Sequence, residues 1–324
     1  MTRQISLDTI REASTTVYDA AVRTPLVRLH VPGSQTAGPE IYLKLETLQP
    51  IGSFKIRGAY NAVSHLSRAQ LAQGVWTVSA GNAAQGVALA ARMAGAACSV
   101  MVMDTAPATK LRSIEALGAT IVQTAYEECW RTVERHGSER MQGHFVHPFD
   151  DDRFISGNGT LGLEIMEDLP DVDAVIAPMG GGGLLVGIAS ALRDLRPEAK
   201  IYAAEPATAA PLAVSLDQGE ASIFDKWQSS FVDGAGGRSV IPSMWPLLQA
   251  LVDESLVVSL DAAAAAMRTV ADRVHVIMEG AAACAVAAAL SADFAQRGHR
   301  KVVAVVSGGN IDLARFAQLT GSCT

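Results

Sequence analysis

The sequence predicts a doubly wound α/β fold in which parallel sheets carry helices on both faces. Short β-branched runs alternate with longer Ala-rich stretches of helical periodicity along nearly the whole chain. Hydrophobic residues make up 49% of the chain and aromatic residues only 5%, so we expect an interior built from Ala, Val, Leu and Ile. The 324 residues also exceed the usual domain size of roughly 100 to 200 residues, which favours two domains.

Individual elements follow from local patterns. Short segments that are apolar on both sides predict strands buried between two layers of helices. These are residues 41–45, 76–79, 99–103, 120–123, 174–177, 201–204 and 302–306. Longer segments with apolar residues three and four positions apart predict helices. These are residues 86–93, 109–117, 127–135, 184–194, 262–274 and 281–296.

Composition argues against several classes of partner. The net charge of −7 and the scattered Lys and Arg residues offer no basic surface for nucleic acid. Apolar stretches are interrupted before about 18 residues, and residues 1–11 contain no apolar segment of a secretion signal. We therefore expect a cytoplasmic protein without a membrane partner. The cysteines lie far apart and are expected to remain reduced thiols: Cys98, Cys129, Cys284 and Cys323.

A run of glycines follows the predicted strand at residues 174–177. Gly180, Gly181, Gly182 and Gly183 precede a predicted helix, although one or two glycines would be enough to turn the chain. Free backbone N–H groups at a helix N-terminus bind anions, so we expect a phosphate group here. The run lacks the Lys-Ser/Thr ending of a P-loop, which disfavours a nucleoside triphosphate.

Two polar turns are expected beside the glycine run. Residues 79–86, which read SAGNAAQG, offer the Ser79 hydroxyl and the Asn82 amide, and residues 307–310, which read SGGN, follow the last predicted strand. Each turn alone is ordinary turn and N-cap chemistry. Since the carboxyl ends of parallel strands meet at one edge of a sheet, the turns and the glycine run predict one binding crevice.

Lys55 lies in a third predicted loop, residues 53–59, which reads SFKIRGA. Its apolar neighbours Phe54 and Ile56 would partly desolvate the amine and favour its neutral form. A neutral lysine is what Schiff-base formation with an aldehyde requires. Taken alone, however, a lysine beside a phenylalanine is more often a solvated side chain.

Together these motifs resemble, in order and spacing, the threonine/serine dehydratases and serine racemases. These are pyridoxal-phosphate enzymes of fold type II, the tryptophan-synthase-β-like fold. The resemblance extends to residues 23–26, 147–151 and 159–164, which read RTPL, HPFDD and GTLGLE, and so covers nearly the whole chain. It implies a large cofactor-binding domain of residues 1–73 and 152–324, a small mobile domain of residues 74–151, and a homodimer or higher homo-oligomer.

The resemblance also implies roles for individual residues. Lys55 would hold pyridoxal 5′-phosphate as a Schiff base and act as the catalytic base. The other cofactor-binding positions would be Phe54 and Gly234 on the two ring faces, Asn82 at the ring hydroxyl, Gly180, Gly181, Gly182 and Gly183 at the phosphate, and Ser307 at the pyridine nitrogen. The substrate would contact Ser79, Ala80, Gly81 and Ala83.

The implied activity is that of a carbon–oxygen lyase in amino-acid catabolism, a dehydratase or ammonia-lyase. It would convert a β-hydroxy amino acid of the threonine/serine type to a 2-keto acid and ammonia. Ala83 replaces the His that is usual in the family, which suggests a bulkier substrate such as an aryl serine. Ala80 replaces the second Ser that racemases use, which disfavours racemisation. The alternatives are an amino-acid racemase, a β-replacement synthase, or a non-enzymatic ligand-binding α/β module.

No metal is predicted. Glu205 resembles the first ligand of a cation site in some family members, but Pro211 occupies the position of their later Asp ligand. His144 and His147 have a spacing that a metal could use, although no third ligand is near in sequence. We also expect no regulatory domain of the kind that some threonine dehydratases append.

Overall fold

The computed structural model describes residues 3–30 and 38–321, so Cys323 lies outside the described residues. The strands are β1 (Leu26–Arg28), β2 (Glu40–Leu45), β3 (Val75–Val78), β4 (Cys98–Met103), β5 (Thr120–Thr124), β6 (His144–Phe145), β7 (Ala174–Pro178), β8 (Lys200–Pro206), β9 (Glu254–Val258) and β10 (Lys301–Val306). The helices are α1 (Leu7–Ser14), α2 (Lys55–Ser64), α3 (Arg68–Ala72), α4 (Asn82–Met93), α5 (Ala108–Glu115), α6 (Tyr126–Arg135), α7 (Asp152–Asp168), α8 (Gly183–Leu195), α9 (Pro211–Gln218), α10 (Trp245–Leu251), α11 (Leu260–Val274), α12 (Gly280–Leu290), α13 (Ala292–Ala295) and α14 (Leu313–Gly321).

The described strands form two sheets, one of six strands and one of four. The larger sheet has the order β1-β2-β10-β7-β8-β9, and the smaller has the order β5-β4-β3-β6. Among these strands only β1 runs antiparallel to its neighbour, β2. The predicted α/β class with parallel sheets is confirmed.

Both faces of the larger sheet are buried. On β7, Val175 packs into one hydrophobic cluster and Ile176 into another on the opposite face, as alternation along a strand requires. Small residues dominate α12, which lies buried against the sheet and lets helix and strands approach closely. None of the described helices is long and apolar enough to cross a membrane.

The predicted loop at residues 53–59 is wrong, because α2 begins at Lys55. Gly58 lies inside this helix, where a Cβ would come within 2.3 Å of the Phe154 ring. This glycine therefore serves helix packing. Two helix predictions also need correction: α4 begins at Asn82 rather than at residue 86, and the segment 281–296 is interrupted at Ser291, whose side chain caps α13.

The predicted domain division stays a prediction. Every strand of the smaller sheet falls within residues 74–151, and every strand of the larger sheet falls outside that range. Helix α2 precedes residue 74, yet Ala59 and Val63 on it share a hydrophobic cluster with Val75 of β3. The same helix packs against α7. Its position between the two parts places Lys55 where they meet.

Candidate active site

A cavity of about 790 Å³ contains all of the residues for which a site role was predicted. It is lined by Phe54, Lys55, Ser79, Ala80, Gly81, Asn82, Ala83, Gly180, Gly181, Gly182, Gly183, Gly234 and Ser307. The helices α2, α4 and α8 all begin at this cavity, at Lys55, Asn82 and Gly183. Because a helix N-terminus carries unpaired N–H groups and positive potential, the cavity is suited to an anionic ligand.

Lys55 is half-buried between two aromatic rings. Its Nζ lies 5.3 Å from the centroid of the Phe54 ring and 5.2 Å from that of Phe154, and it donates a hydrogen bond to the Pro148 carbonyl at 2.6 Å. Burial lowers the pKa of Lys55 to about 8, although the nearby Glu279 carboxyl opposes this shift. A neutral, nucleophilic amine is therefore accessible near neutral pH.

The glycine run lies at the start of α8, with Gly182 at a φ of 92°. A Cβ on Gly181 would come within 2.2 Å of the Phe149 ring, and a Cβ on Gly180 would come within 2.7 Å of the Gly234 carbonyl oxygen. Packing inside the protein thus requires glycine at these positions, independently of any phosphate. The sequence could not reveal this requirement, because Phe149 and Gly234 are distant along the chain.

Ser307 is buried beside the start of α2. Its carbonyl accepts a hydrogen bond from the Phe54 N–H at 3.0 Å, which ties the end of β10 to the residue before Lys55. The Ser79 hydroxyl, which also lines the cavity, accepts a hydrogen bond from the Gly81 N–H at 3.1 Å and shapes the turn into α4. The two polar turns predicted from sequence therefore face one cavity, as expected.

Glu279 and Asn310 are among the cavity residues to which sequence reasoning gave no role. Asn82 donates to Glu279 Oε1 at 2.8 Å, and its Oδ1 accepts from Asn310 Nδ2 at 2.8 Å. Burial raises the pKa of Glu279 to about 8, and the charge of Asp233 contributes in the same direction. A single acid between Met278 and the apolar α12 was the available signal.

The residues that suggested a metal have protein partners. Glu205 accepts hydrogen bonds from the backbone N–H groups of Leu212 and Ala213, both at 2.9 Å, and so caps α9. His147 lies near His136 and Asp150 rather than pairing with His144. Its Nε2 donates to a backbone carbonyl at 3.1 Å, its Nδ1 accepts from the Asp150 N–H at 2.7 Å, and burial lowers its pKa to about 4.

Comparisons with known proteins agree with this geometry. Residues 17–308 match the family model described as pyridoxal-phosphate dependent enzyme. The chain is 40% identical to an L-threonine ammonia-lyase from Thermotoga maritima over 95% of this chain and 76% of the relative. It is 37% identical to the catabolic L-threonine dehydratase TdcB of Escherichia coli over 98% of this chain and 96% of the relative.

Solved structures show the same architecture. The processed form of threonine deaminase isoform 2 from Solanum lycopersicum superimposes with a TM-score of 0.85 at 33% identity, covering 98% of this chain and 95% of that one. Maize serine racemase superimposes with a TM-score of 0.86 at 32% identity, covering 98% and 97%.

The chain therefore belongs to the pyridoxal-phosphate-dependent enzymes, and its fold is that of fold type II. Within that family it is a lyase of the dehydratase or ammonia-lyase type, acting on a small amino-acid substrate. The predicted cofactor and activity are confirmed. The residues fit pyridoxal phosphate, because one cavity combines a lysine of lowered pKa with three helix N-termini.

Proposed function

We propose that Lys55 binds the cofactor covalently and that the enzyme eliminates water and then ammonia from a β-hydroxy amino acid. The observation that carries this proposal is the Lys55 amine, which lies in the cavity with its pKa lowered to about 8. When bound, the cofactor supplies an electron sink that makes the Cα–H bond acidic. The neutral Lys55 amine can then accept the Cα proton.

The remaining cavity residues would bind and orient the cofactor and the substrate. The backbone N–H groups of Gly180, Gly181, Gly182 and Gly183, at the N-terminus of α8, would hold the cofactor phosphate. Ser307 would bond the pyridine nitrogen, and a neutral hydroxyl at that position suits elimination more than transamination. Ser79, Gly81 and the backbone of Ala83 would hold the substrate carboxylate at the N-terminus of α4, while Ala80 offers no proton donor for racemisation.

The substrate is proposed to be of the threonine/serine type, with a β-substituent larger than that of serine. Two relatives carry L-threonine in their names. The cavity is spacious, and its wall includes the rings of Tyr126 and Trp130 as well as the small Ala83 side chain. Apolar surface of this kind favours a substrate that can bury a methyl or aryl group.

Borohydride reduction tests the assignment of Lys55. The purified protein should absorb in the visible, and reduction should fix the cofactor to Lys55 in a peptide identified by mass spectrometry. Lys55→Ala should abolish 2-keto acid release from a panel of β-hydroxy amino acids, whereas Lys226→Ala, at an exposed lysine outside the cavity, should not. A cofactor label on another lysine contradicts the proposal.

Cytoplasmic location and assembly into a homodimer or higher homo-oligomer belong to the same proposal. The free thiols of Cys98, Cys129 and Cys284 are buried and support a reducing compartment. The family resemblance supports assembly, which light scattering on the purified protein measures directly.

A further inference from the structure

Glu279 is a buried carboxyl group whose side chain faces the cavity. It occupies the N-cap position of α12, yet its side chain makes no capping bond to that helix. Instead Oε1 lies 2.8 Å from Asn82 Nδ2, and the residue is only 5% exposed. A Cβ added to Gly308 would come within 2.8 Å of this oxygen, so the glycine leaves the space that the carboxyl group fills.

Hydrogen bonding fixes the orientation of the Asn82 amide. Asn310 Nδ2 donates to the Ile51 carbonyl at 2.7 Å, and a carbonyl can only accept, so this amide nitrogen must be the atom that faces Asn82. Asn82 consequently presents Oδ1 to Asn310 and Nδ2 to Glu279. One N–H of Asn82 is engaged by Glu279, and the second remains for a ligand in the cavity.

The charge state of Glu279 follows from its surroundings. None of the ion pairs formed between described residues includes Glu279. The charged groups that influence it are Lys55 on α2, Lys110 on α5 and Asp233 in the loop before α10. Burial and the charge of Asp233 raise the pKa of Glu279 to about 8, against the hydrogen bonds from Asn82 and the Asn310 backbone, so the protonated form predominates at neutral pH.

We propose that Glu279 is a positioning residue for the cofactor, because it holds one N–H of Asn82 and thereby aims the second N–H at the cofactor ring oxygen. This inference rests on the proposed placement of the cofactor against Lys55 and Asn82. As a neutral acid, Glu279 adds no negative charge beside that oxygen. Above about pH 8, ionised Glu279 would place a negative charge close to the cofactor ring oxygen. The same negative charge would also raise the fraction of Lys55 that is protonated.

The test measures cofactor binding by the apoprotein. Pyridoxal 5′-phosphate is titrated into the parent, Glu279→Gln and Glu279→Ala at several values between pH 6.5 and 9.5 around the expected transition near pH 8. Gln reproduces the shape and neutrality of the protonated acid, so Kd at pH 7 should stay within about twofold of the parent. Ala removes the acceptor for Asn82, and Kd should rise about fivefold.

The pH profile separates positioning from simple space filling. The ratio of the parent Kd to the Glu279→Gln Kd should be constant below about pH 8 and should rise above it, because only the parent acquires the charge. Asp233→Asn removes a cavity carboxyl group that raises the pKa of Glu279 but does not bond Asn82. It should lower the pH at which the ratio begins to rise.

Asn310→Ala tests the same amide from its other side. It should weaken binding by a similar factor, and the double variant with Glu279→Ala should lose less than the product of the two factors. A ratio that does not change with pH, or a Glu279→Ala protein that binds as tightly as the parent, overturns the inference. Borohydride labelling of Lys55 in each variant distinguishes this failure from failure of the proposed function, which would leave Lys55 unlabelled even in the parent.

Discussion

At the scale of single residues, Ala83 bears most directly on substrate choice. It occupies the first turn of α4, is 3% exposed, and forms part of the cavity wall. Only a methyl group extends from this position, so it takes up less of the cavity than the imidazole of a His would. The alternative is that only the backbone N–H of Ala83 matters, through its proposed contact with the substrate carboxylate.

Replacing Ala83 with His should shift specificity toward the smaller substrate. An imidazole would fill space that a β-aryl group otherwise uses, and a change of this size is worth about 1 to 3 kcal/mol in discrimination. We therefore expect the ratio of kcat/KM for threonine to that for a β-aryl serine to rise by roughly tenfold or more. Ala83→Ser is the control, because it keeps the backbone N–H and adds little volume. A ratio that stays unchanged in Ala83→His means that position 83 does not determine specificity.

At the scale of elements, the helix that carries Lys55 is held by buried charges. Arg57 on α2 pairs with Glu46 at 2.7 Å and with Glu164 on α7 at 2.7 Å, and Lys44 on β2 pairs with Glu164 at 2.6 Å. These side chains are almost fully buried, so each charge depends on its partners for solvation. The network fixes α2 between the two sheets two residues beyond Lys55.

Arg57→Met should destabilise the apoprotein by about 3 to 5 kcal/mol, because it leaves Glu46 buried without its cation. Urea unfolding followed by circular dichroism measures this difference. Arg23→Met is the matched control, since Arg23 also pairs with acids of α7, Glu167 and Asp168, but its side chain is 44% exposed. That change should cost no more than about 1 kcal/mol. An equal loss in the free energy of unfolding in the two variants would show that burial of the ion pairs does not increase their contribution to stability.

The buried strands were predicted more accurately from the sequence than helices α2 and α7. Strands such as β7 and β10 were predicted to within one or two residues, because runs buried on both faces are apolar throughout. Helices α2 and α7, which contain Gly58 and Gly157, were not predicted. A Cβ on Gly157 would come within 2.4 Å of the Arg57 carbonyl oxygen, so these glycines allow two helices to touch. Contacts between distant segments of this kind leave no local signal.

All positions given a site role line one cavity, although α2, which carries Lys55, was predicted as a loop. The motifs of the candidate site are local, and the carboxyl ends of parallel strands bring them to one edge of a sheet. Asn310 lay within a quoted motif but received no role, and Glu279 lay outside all of them. Both owe their importance to Asn82, which is 228 residues from Asn310 and 197 residues from Glu279 along the chain.

At the scale of the whole molecule, side-chain contacts join the smaller-sheet part to the loop that precedes α10. Lys110 on α5 forms an ion pair with Asp233, and the Arg238 guanidinium lies 5.0 Å from the centroid of the Tyr126 ring on α6. Lys110 and Asp233 both line the cavity, and their side chains are 33% and 52% exposed. They therefore lie at the mouth of the cavity, where it opens to solvent.

Lys110→Gln should weaken closure of this mouth without weakening the fold. An exposed ion pair contributes at most about 1 kcal/mol, so we expect KM for the hydroxy amino acid to rise by up to about fivefold while the melting temperature stays unchanged. Added salt should raise KM of the parent toward that of the variant, because screening weakens exposed pairs.

The control for this change is Lys200→Gln, which removes an exposed pair with Asp253 at 2.9 Å that joins neighbouring segments of the larger sheet. It should leave KM and its salt dependence as in the parent. If Lys110 acts through Asp233, Asp233→Asn should raise KM by a similar factor, and the double variant should be no worse than either single one. Equal salt dependence of KM in the parent and in Lys110→Gln would mean that the pair does not hold the mouth closed.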